Sequence, residues 1–389
     1  MRVGVEFMDV LIITYSISRK AGGIYDAVRE LFTNVAFDSY HLKILSFLDE
    51  YSTVDILMWK RLSIQLFKAG FFLYSAKAKR CFLHEKSNLL HMEGLWRCPQ
   101  LWMADWKKQY PNRPIICSPH GMLDPYIIQS QGKFKRIISN LFFQKGLEAV
   151  DCYHALCQKE LEDIRAYGLK QPVAIIPNGI NMPDTAKNFE RKDNKKHLLY
   201  LGRLHRKKGV DMLLKAMAQI KEEKPDLLGN WHVDLVGWDH ENCRTELERI
   251  VHEGHLESRV TFYGGLFGDD KLRMYATSDA YILPSHGEGL PMTILEAWSW
   301  KLPVIMTPKC NIPEGFEVNA AIRIEDTVES VKQGLMKLLS MNIEQRKKMG
   351  INGYQLVKEK FTWDASANKM IQLYTWLLGN TAKPSFVFD

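Results

Sequence analysis

The feature that most constrains this fold is alternation. Short apolar runs and amphipathic stretches take turns along the chain. In the first half, strand candidates lie at Val10–Ile13, Leu42–Phe47, Leu89–Met92, Ile115–Cys117, Tyr153–Leu156 and Val173–Ile176. Helix candidates begin near Ile24, Val54, Gln100, Pro125 and Gln158. The second half repeats the theme with strands at His197–Leu201, Trp231–Val236, Val260–Tyr263, Ala280–Leu283, Val304–Met306 and Ala321–Ile324. Helices there start near Val210, Asn242, Gly268, Pro291, Val328 and Ile343. Strands separated by helices predict an α/β fold, its parallel sheets covered on both faces. At 389 residues the chain exceeds one typical core, so two doubly wound, Rossmann-like domains are expected. The turn-rich run Ile176–Asp184 and the charged segment to Lys196 mark the break. The expected domains are 1–182 and 183–362, with a last helix in 363–389. Ligands of open α/β sheets bind beyond the carboxyl ends of the strands, so the expected site is a cleft between the domains.

One stretch on that edge, Ser285–Ile305, carries chemistry. It leaves the strand Ala280–Leu283, passes Gly287 and Gly289, and enters a helix with Pro291 expected at its first position. A strand, a glycine loop and a helix N-terminus together favour a phosphate, because free amides and the helix dipole attract negative charge. Glu288 and Glu296 bracket that site. An anion site between two anions fits a ligand with phosphates in the middle and hydroxyls at both ends, as in a sugar nucleotide.

Other loops are expected at the same edges. Leu201–Gly209 carries Arg203, Arg206, Lys207 and Lys208, and a guanidinium with an ammonium at a helix mouth would clamp a diphosphate. Arg206 and Lys207 read equally well as solvated charge. Gly22-Gly23 precedes a helix, a position that serves an anion site or a plain turn alike, and His120 follows a strand end beside a glycine, where a lone histidine reads as catalytic or as structural or solvent-exposed. Val236-Gly-Trp238 and Tyr263-Gly264-Gly265-Leu266 end strands with glycine, suited to backbone contact with a planar base or to tight turns.

Charge and cysteines exclude some classes. The net charge is +7, and its excess lies before Ile180. Lys60, Arg61, Lys68, Lys77, Lys79 and Arg80 sit in one acid-free stretch interleaved with apolar residues. Residues 60–80 are therefore expected to form a basic amphipathic helical stretch, either peripheral on an anionic membrane or packed on the core with its charges solvated. No nucleic-acid motif accompanies the charge. The seven cysteines form no Cys-x-x-Cys pair, so neither a disulfide frame nor a zinc site is indicated. Neither a signal peptide nor a spanning run is read, and a cytoplasmic protein is expected.

Taken in order, Ala21-Gly-Gly-Ile24, Ser118-Pro-His-Gly-Met-Leu-Asp124, Pro177-Asn-Gly-Ile180, Leu201-Gly-Arg-Leu204 with Lys208-Gly209, and Glu288-Gly-Leu-Pro-Met-Thr-Ile-Leu-Glu296 carry a signature. The chain resembles the retaining family-4 glycosyltransferases of the GT-B fold, in the form found in bacterial envelope and exopolysaccharide synthesis. The resemblance implies that Arg203 and Lys208 bind the donor diphosphate. It places Glu296 on the ribose and Glu288 on the transferred sugar. Gly289, Leu290, Pro291, Met292 and Thr293 would lie near the phosphates, and His120 beside the sugar. Gly22-Gly23 would form a donor or acceptor loop, Gly264, Gly265 and Leu266 would line the donor side, and the last helix would return to the first domain. The family often has Asp after Pro-Asn-Gly-Ile, where this chain has Asn181.

The implied activity is transfer of a hexose from a nucleotide-diphosphate sugar to a saccharide or lipid-linked saccharide. UDP-glucose is the first expectation, then UDP-N-acetylglucosamine or a GDP-sugar. A sugar-nucleotide epimerase, a phosphorylase or a non-catalytic sugar-nucleotide binder are the alternatives. The chain contains no Asp-x-Asp pair, and Arg203 with Lys208 can replace a cation, so no metal or other cofactor is expected.

Overall fold

The computed structural model describes residues 8–60, 62–125, 128, 142–184, 187, 189–191 and 193–389. The strands are β1 (Met8–Thr14), β2 (Tyr40–Phe47), β3 (Ser63–Phe67), β4 (Leu89–Glu93), β5 (Ile115–Ser118), β6 (Cys152–Ala155) and β7 (Val173–Ile175). They continue as β8 (Lys196–Leu201), β9 (Trp231–Val236), β10 (Val260–Gly264), β11 (Ala280–Leu283), β12 (Val304–Met306), β13 (Ala321–Arg323) and β14 (Val387–Phe388). Two units follow from how they pack: residues up to Gly179 with Trp363–Asp389, and Ile180–Thr362.

The first unit is built on one sheet in the order β14-β7-β6-β5-β4-β1-β2-β3. Every pair is parallel except β14 against β7. Alternation along each strand divides the core in two. Val10, Ile12, Leu89 and Ile116 face the helices Gly23–Phe32 and Trp363–Leu377. Leu11, Ile13, Leu90 and Met92 face the helix Cys98–Gln109. The last helix buries Trp363, Ala367, Met370 and, three and four residues beyond Met370, Leu373 and Tyr374, as one apolar stripe.

Residues 60–80 correct the expectation of a single amphipathic helix. Ser63-Ile-Gln-Leu-Phe67 alternates with period two and adds β3 to the sheet edge. A short 3-10 turn at Phe71–Leu73 and the helix Ala76–His84 follow. Past the last helix the chain also adds a strand, β14, where no element was expected. The helix expected near Val54 is a single turn, Ser52–Asp55, continued by the 3-10 turn Ile56–Trp59. The helix expected near Pro125 falls largely outside the described residues, as does Arg61. Among the described residues no helix is long and apolar enough to cross a membrane.

The second unit is a wholly parallel sheet, β10-β9-β8-β11-β12-β13, around one core. Because β8 and β11 are neighbours, the loops leaving their carboxyl ends meet. Gly209 sits where they close: its φ is +69°, and a Cβ there would lie 2.1 Å from the Pro284 carbonyl oxygen. Gly209→Ala must both adopt the left-handed conformation and push that carbonyl away. A stability loss of about 2–3 kcal/mol is expected, read as a lowered urea midpoint at unchanged slope. An unchanged midpoint would refute this close approach.

Candidate functional site

The second unit's site is assembled by backbone before any charge is counted. The Lys207 carbonyl accepts from Ser285 Oγ at 3.0 Å and from the His286 amide at 2.8 Å, tying the β8 loop to the β11 loop. Thr307 Oγ1 donates to the Ser285 carbonyl at 2.7 Å, and the Glu288 amide to the Lys309 carbonyl at 2.9 Å. Asn311 Nδ2 reaches the Glu288 carbonyl at 2.6 Å. Three loops that leave the adjacent strands β8, β11 and β12 thus hold Glu288 in place.

Lys208 Nζ donates to both oxygens of Glu288, at 2.7 and 2.8 Å, with both side chains largely buried. Two residues assigned separately, one to phosphate and one to sugar, form an ion pair. Arg203 lies in the same loop. Its carbonyl is fixed by the Tyr200 hydroxyl at 2.7 Å, while its side chain is exposed and has no salt bridge among the described residues. The helix below is Met292–Ser299, and no side chain caps it. Pro291 is its N-cap, extended at ψ 98°, rather than its first residue as expected, because its carbonyl rather than its ring opens the helix. Gly289 has open space where a Cβ would stand.

Glu296 lies on that helix and is already engaged. Lys271 Nζ donates to one carboxylate oxygen at 2.6 Å and the Tyr275 hydroxyl to the other at 2.7 Å. Burial, then the Glu296 charge, raises the Tyr275 pKa well above the usual phenol value, so Tyr275 stays a donor. Lys271 and Tyr275 were missed in the sequence, although their spacing of four on the helix Gly268–Thr277 puts them on one face. Gly264 has φ +71°. Gly265 packs beside the rings of Trp238 and Phe267, which are 16° from parallel with centroids 6.4 Å apart and are both exposed. Leu266 is partly buried against the core.

In the first unit, Gly22 has φ +57° and caps the helix Gly23–Phe32 through its backbone alone. His120 follows β5 with φ +53°. Its Nε2 donates to Glu93 Oε2 at 2.5 Å. The next amide, Gly121, donates to Glu160 Oε1 at 2.5 Å. Two buried carboxylates therefore fix the ring and the turn beneath it. Neither was picked out in the sequence. For Glu93 the signal was there: Leu89-Leu-His-Met-Glu93 puts His91 and Glu93 on the same face of a strand with both faces covered.

Among the described residues, His205, His240 and Glu241 bring ligand atoms within 4.8 Å of one another. His205 Nδ1 is taken by the Lys207 amide at 3.0 Å, Glu241 is exposed, and Arg203, Arg206 and Lys207 in the same loop oppose a cation.

These two sheets, with glycine loops and cations at their carboxyl edges, define the class of GT-B glycosyltransferase folds. HepE from Anabaena, solved in complex with UDP and glucose, superposes with a TM-score of 0.69 over 95% of this chain and 100% of that one, at 16% identity. Residues 181–356 match the model for glycosyl transferases group 1, and residues 60–184 that for Glycosyltransferase Family 4. The chain thus carries both glycosyltransferase domains, group 1 and family 4. An uncharacterised glycosyltransferase of Methanocaldococcus jannaschii is 27% identical over 52% of this chain and 53% of its own length. One subunit of the human phosphatidylinositol N-acetylglucosaminyltransferase is 27% identical over 58% of this chain and 46% of its own. The chain thus spans about half the length of these two relatives.

Proposed function

We propose that this protein is a retaining, metal-independent hexosyltransferase. It moves a hexose from a nucleotide-diphosphate sugar to a saccharide or lipid-linked saccharide of the cell envelope. The observation that carries the reading is one loop cluster tied together by backbone bonds. It joins Arg203, without a salt bridge among the described residues, to the Lys208–Glu288 pair and an uncapped helix start. As the anomeric bond breaks, charge grows on the departing diphosphate, and fixed cations and amides stabilise that state more than the substrate. Glu296 accepts from the ribose hydroxyls, Glu288 meets the sugar, and Trp238 with Phe267 lies beside the base; His120, in the first unit, is read by itself as a partner for a sugar hydroxyl. The structure of HepE with UDP and glucose supports UDP-glucose as first donor. The name of the human relative supports UDP-N-acetylglucosamine and a lipid-linked acceptor. The protein works in the cytoplasm. Its basic stretch 60–80, with Phe71 and Tyr74 exposed, touches an anionic membrane surface.

A thermal-shift series with UDP, GDP and their sugars tests the donor assignment. A ligand at a hundred times its Kd adds about 2.7 kcal/mol of stability. The expected order is UDP-glucose first, with the shift retained in EDTA. Glu296→Ala should raise the Kd for UDP about 10–100-fold, since one or two charge-assisted bonds are lost. An unchanged Kd would remove Glu296 from the ribose. Turnover that requires inorganic phosphate would replace the transferase by a phosphorylase, and donor bound but never cleaved would replace it by a binder.

A further inference from the structure

Behind His120 lies a buried network whose protons can be assigned one by one. It ends at the Ile176 carbonyl, which only accepts, so His154 Nε2, 2.8 Å away, carries a proton. Burial lowers the His154 pKa to about 4, leaving a lone pair on Nδ1. The Ser118 hydroxyl, at 2.8 Å, therefore donates to it. Ser118 Oγ in turn accepts from His91 Nε2 at 2.7 Å. Burial holds His91 neutral as well, so its Nδ1 accepts from the Tyr374 hydroxyl at 2.6 Å. Every bond in this chain runs the same way. His91 Nε2 also lies 3.3 Å from Glu93 Oε1, while the other oxygen of Glu93 receives His120 Nε2.

We propose that Glu93 is the positioning residue for His120: it keeps the ring proton on Nε2 and so makes Nδ1 the atom offered to a hydroxyl of the transferred sugar. This rests on the transferase reading. Tyr374 serves Glu93 at one remove, because its donation to His91 Nδ1 fixes the His91 proton on the side facing the carboxylate. The groups around His120 are Glu93 and His91 from β4, His154 from β6 and Glu160 from the helix Gln158–Ala166. Burial works against a charged His120, yet the bond to Glu93 and the charges of Glu93 and Glu160 outweigh it and raise its pKa. The imidazolium then persists to higher pH, and Nδ1–H is a charge-assisted donor.

The test is a pH titration of the full chain labelled with nitrogen-15 in histidine, followed by long-range proton–nitrogen spectra. The expected result is a His120 midpoint above the ordinary 6.5, with the neutral form carrying its proton on Nε2. In Glu93→Gln the midpoint should fall by about 1–3 pH units, and the alkaline limb of kcat/KM should move down with it. Tyr374→Phe should lower the midpoint by less. A midpoint at or below the ordinary value in the unsubstituted protein, or a neutral ring protonated on Nδ1, would overturn the role of Glu93 even if Glu93→Gln did not fold. The same result in a chain that transfers sugar would overturn this role alone. A raised midpoint in a chain that transfers no sugar would instead overturn the transferase reading on which the sugar contact rests.

Discussion

Arg203→Ala is expected to lower kcat/KM about 10²–10³-fold while leaving the melting temperature where it was. The first half follows from where charge develops. Removing one fixed donor from a developing oxyanion costs about 3–4 kcal/mol of transition-state stabilisation, and of the cations in its loop Arg203 stands nearest the end of β8, with no salt bridge among the described residues. Lys208 carries less free charge to the phosphates because Glu288 already takes two of its hydrogen bonds. The second half follows from packing. The exposed guanidinium makes no salt bridge in the described structure, and Tyr200 holds the backbone through the Arg203 carbonyl, which alanine retains. Arg203→Lys should recover only part of the loss, because an ammonium cannot offer a planar pair of donors to a diphosphate. Single-turnover rates with saturating donor are the measurement. A rate in Arg203→Ala equal to that of the unsubstituted protein would remove the diphosphate assignment.

The parallel sheets were legible because burial on both faces leaves a plain mark: uninterrupted runs such as Leu199-Tyr200 and Tyr281-Ile282-Leu283, flanked by glycine loops. An edge strand leaves a weaker one. In β3 the residues from Ser63 to Leu66 keep some exposure, and the surrounding lysines made the whole stretch resemble a basic helix. β14 is two residues long and owes its conformation to β7, a contact more than two hundred residues away in sequence that no local pattern encodes. The same division runs through the site. Glu288 and Arg203 stand beside glycines in loops that leave strands, and Glu296 lies in the helix that follows the Glu288 loop, so their type and place could be read. Their partners could not, because the pairings of Lys208 with Glu288 and of Lys271 with Glu296 depend on which strands become neighbours. Glu93 and Glu160 were hidden for another reason. Glu93 closes a core strand, where a carboxylate reads as an interruption of the pattern, and Glu160 lies in the first turn of the helix Gln158–Ala166, where an acid reads as ordinary helix-end charge rather than as the support of the turn at His120.

The Lys208–Glu288 pair should reveal itself through the difference between its single and double substitutions. In Lys208→Met the Glu288 carboxylate, with 11% of its side chain exposed, keeps its place through the Asn311 and Lys309 backbone contacts but loses its counter-charge. A buried charge left alone costs more than the pair itself contributes. The expected loss is about 2 kcal/mol of stability, near the low end for such pairs because both groups retain some solvent. Glu288→Gln leaves the milder problem of an ammonium that still reaches water, so about 1 kcal/mol is expected. Combining the two removes both charges, and the double variant should be more stable than Lys208→Met alone. The two losses are therefore strongly non-additive, as contact between the groups requires. Activity should not follow stability. If Lys208 meets the diphosphate and Glu288 the sugar, the double variant regains its fold and stays inactive, with Kd for UDP weakened and kcat lost. Denaturant midpoints for the four proteins, set beside their UDP affinities and turnover, separate the two roles. Additive stability losses would show that the pair does not act as a unit. A double variant that turned over donor at the original rate would show that neither residue touches the reacting sugar nucleotide.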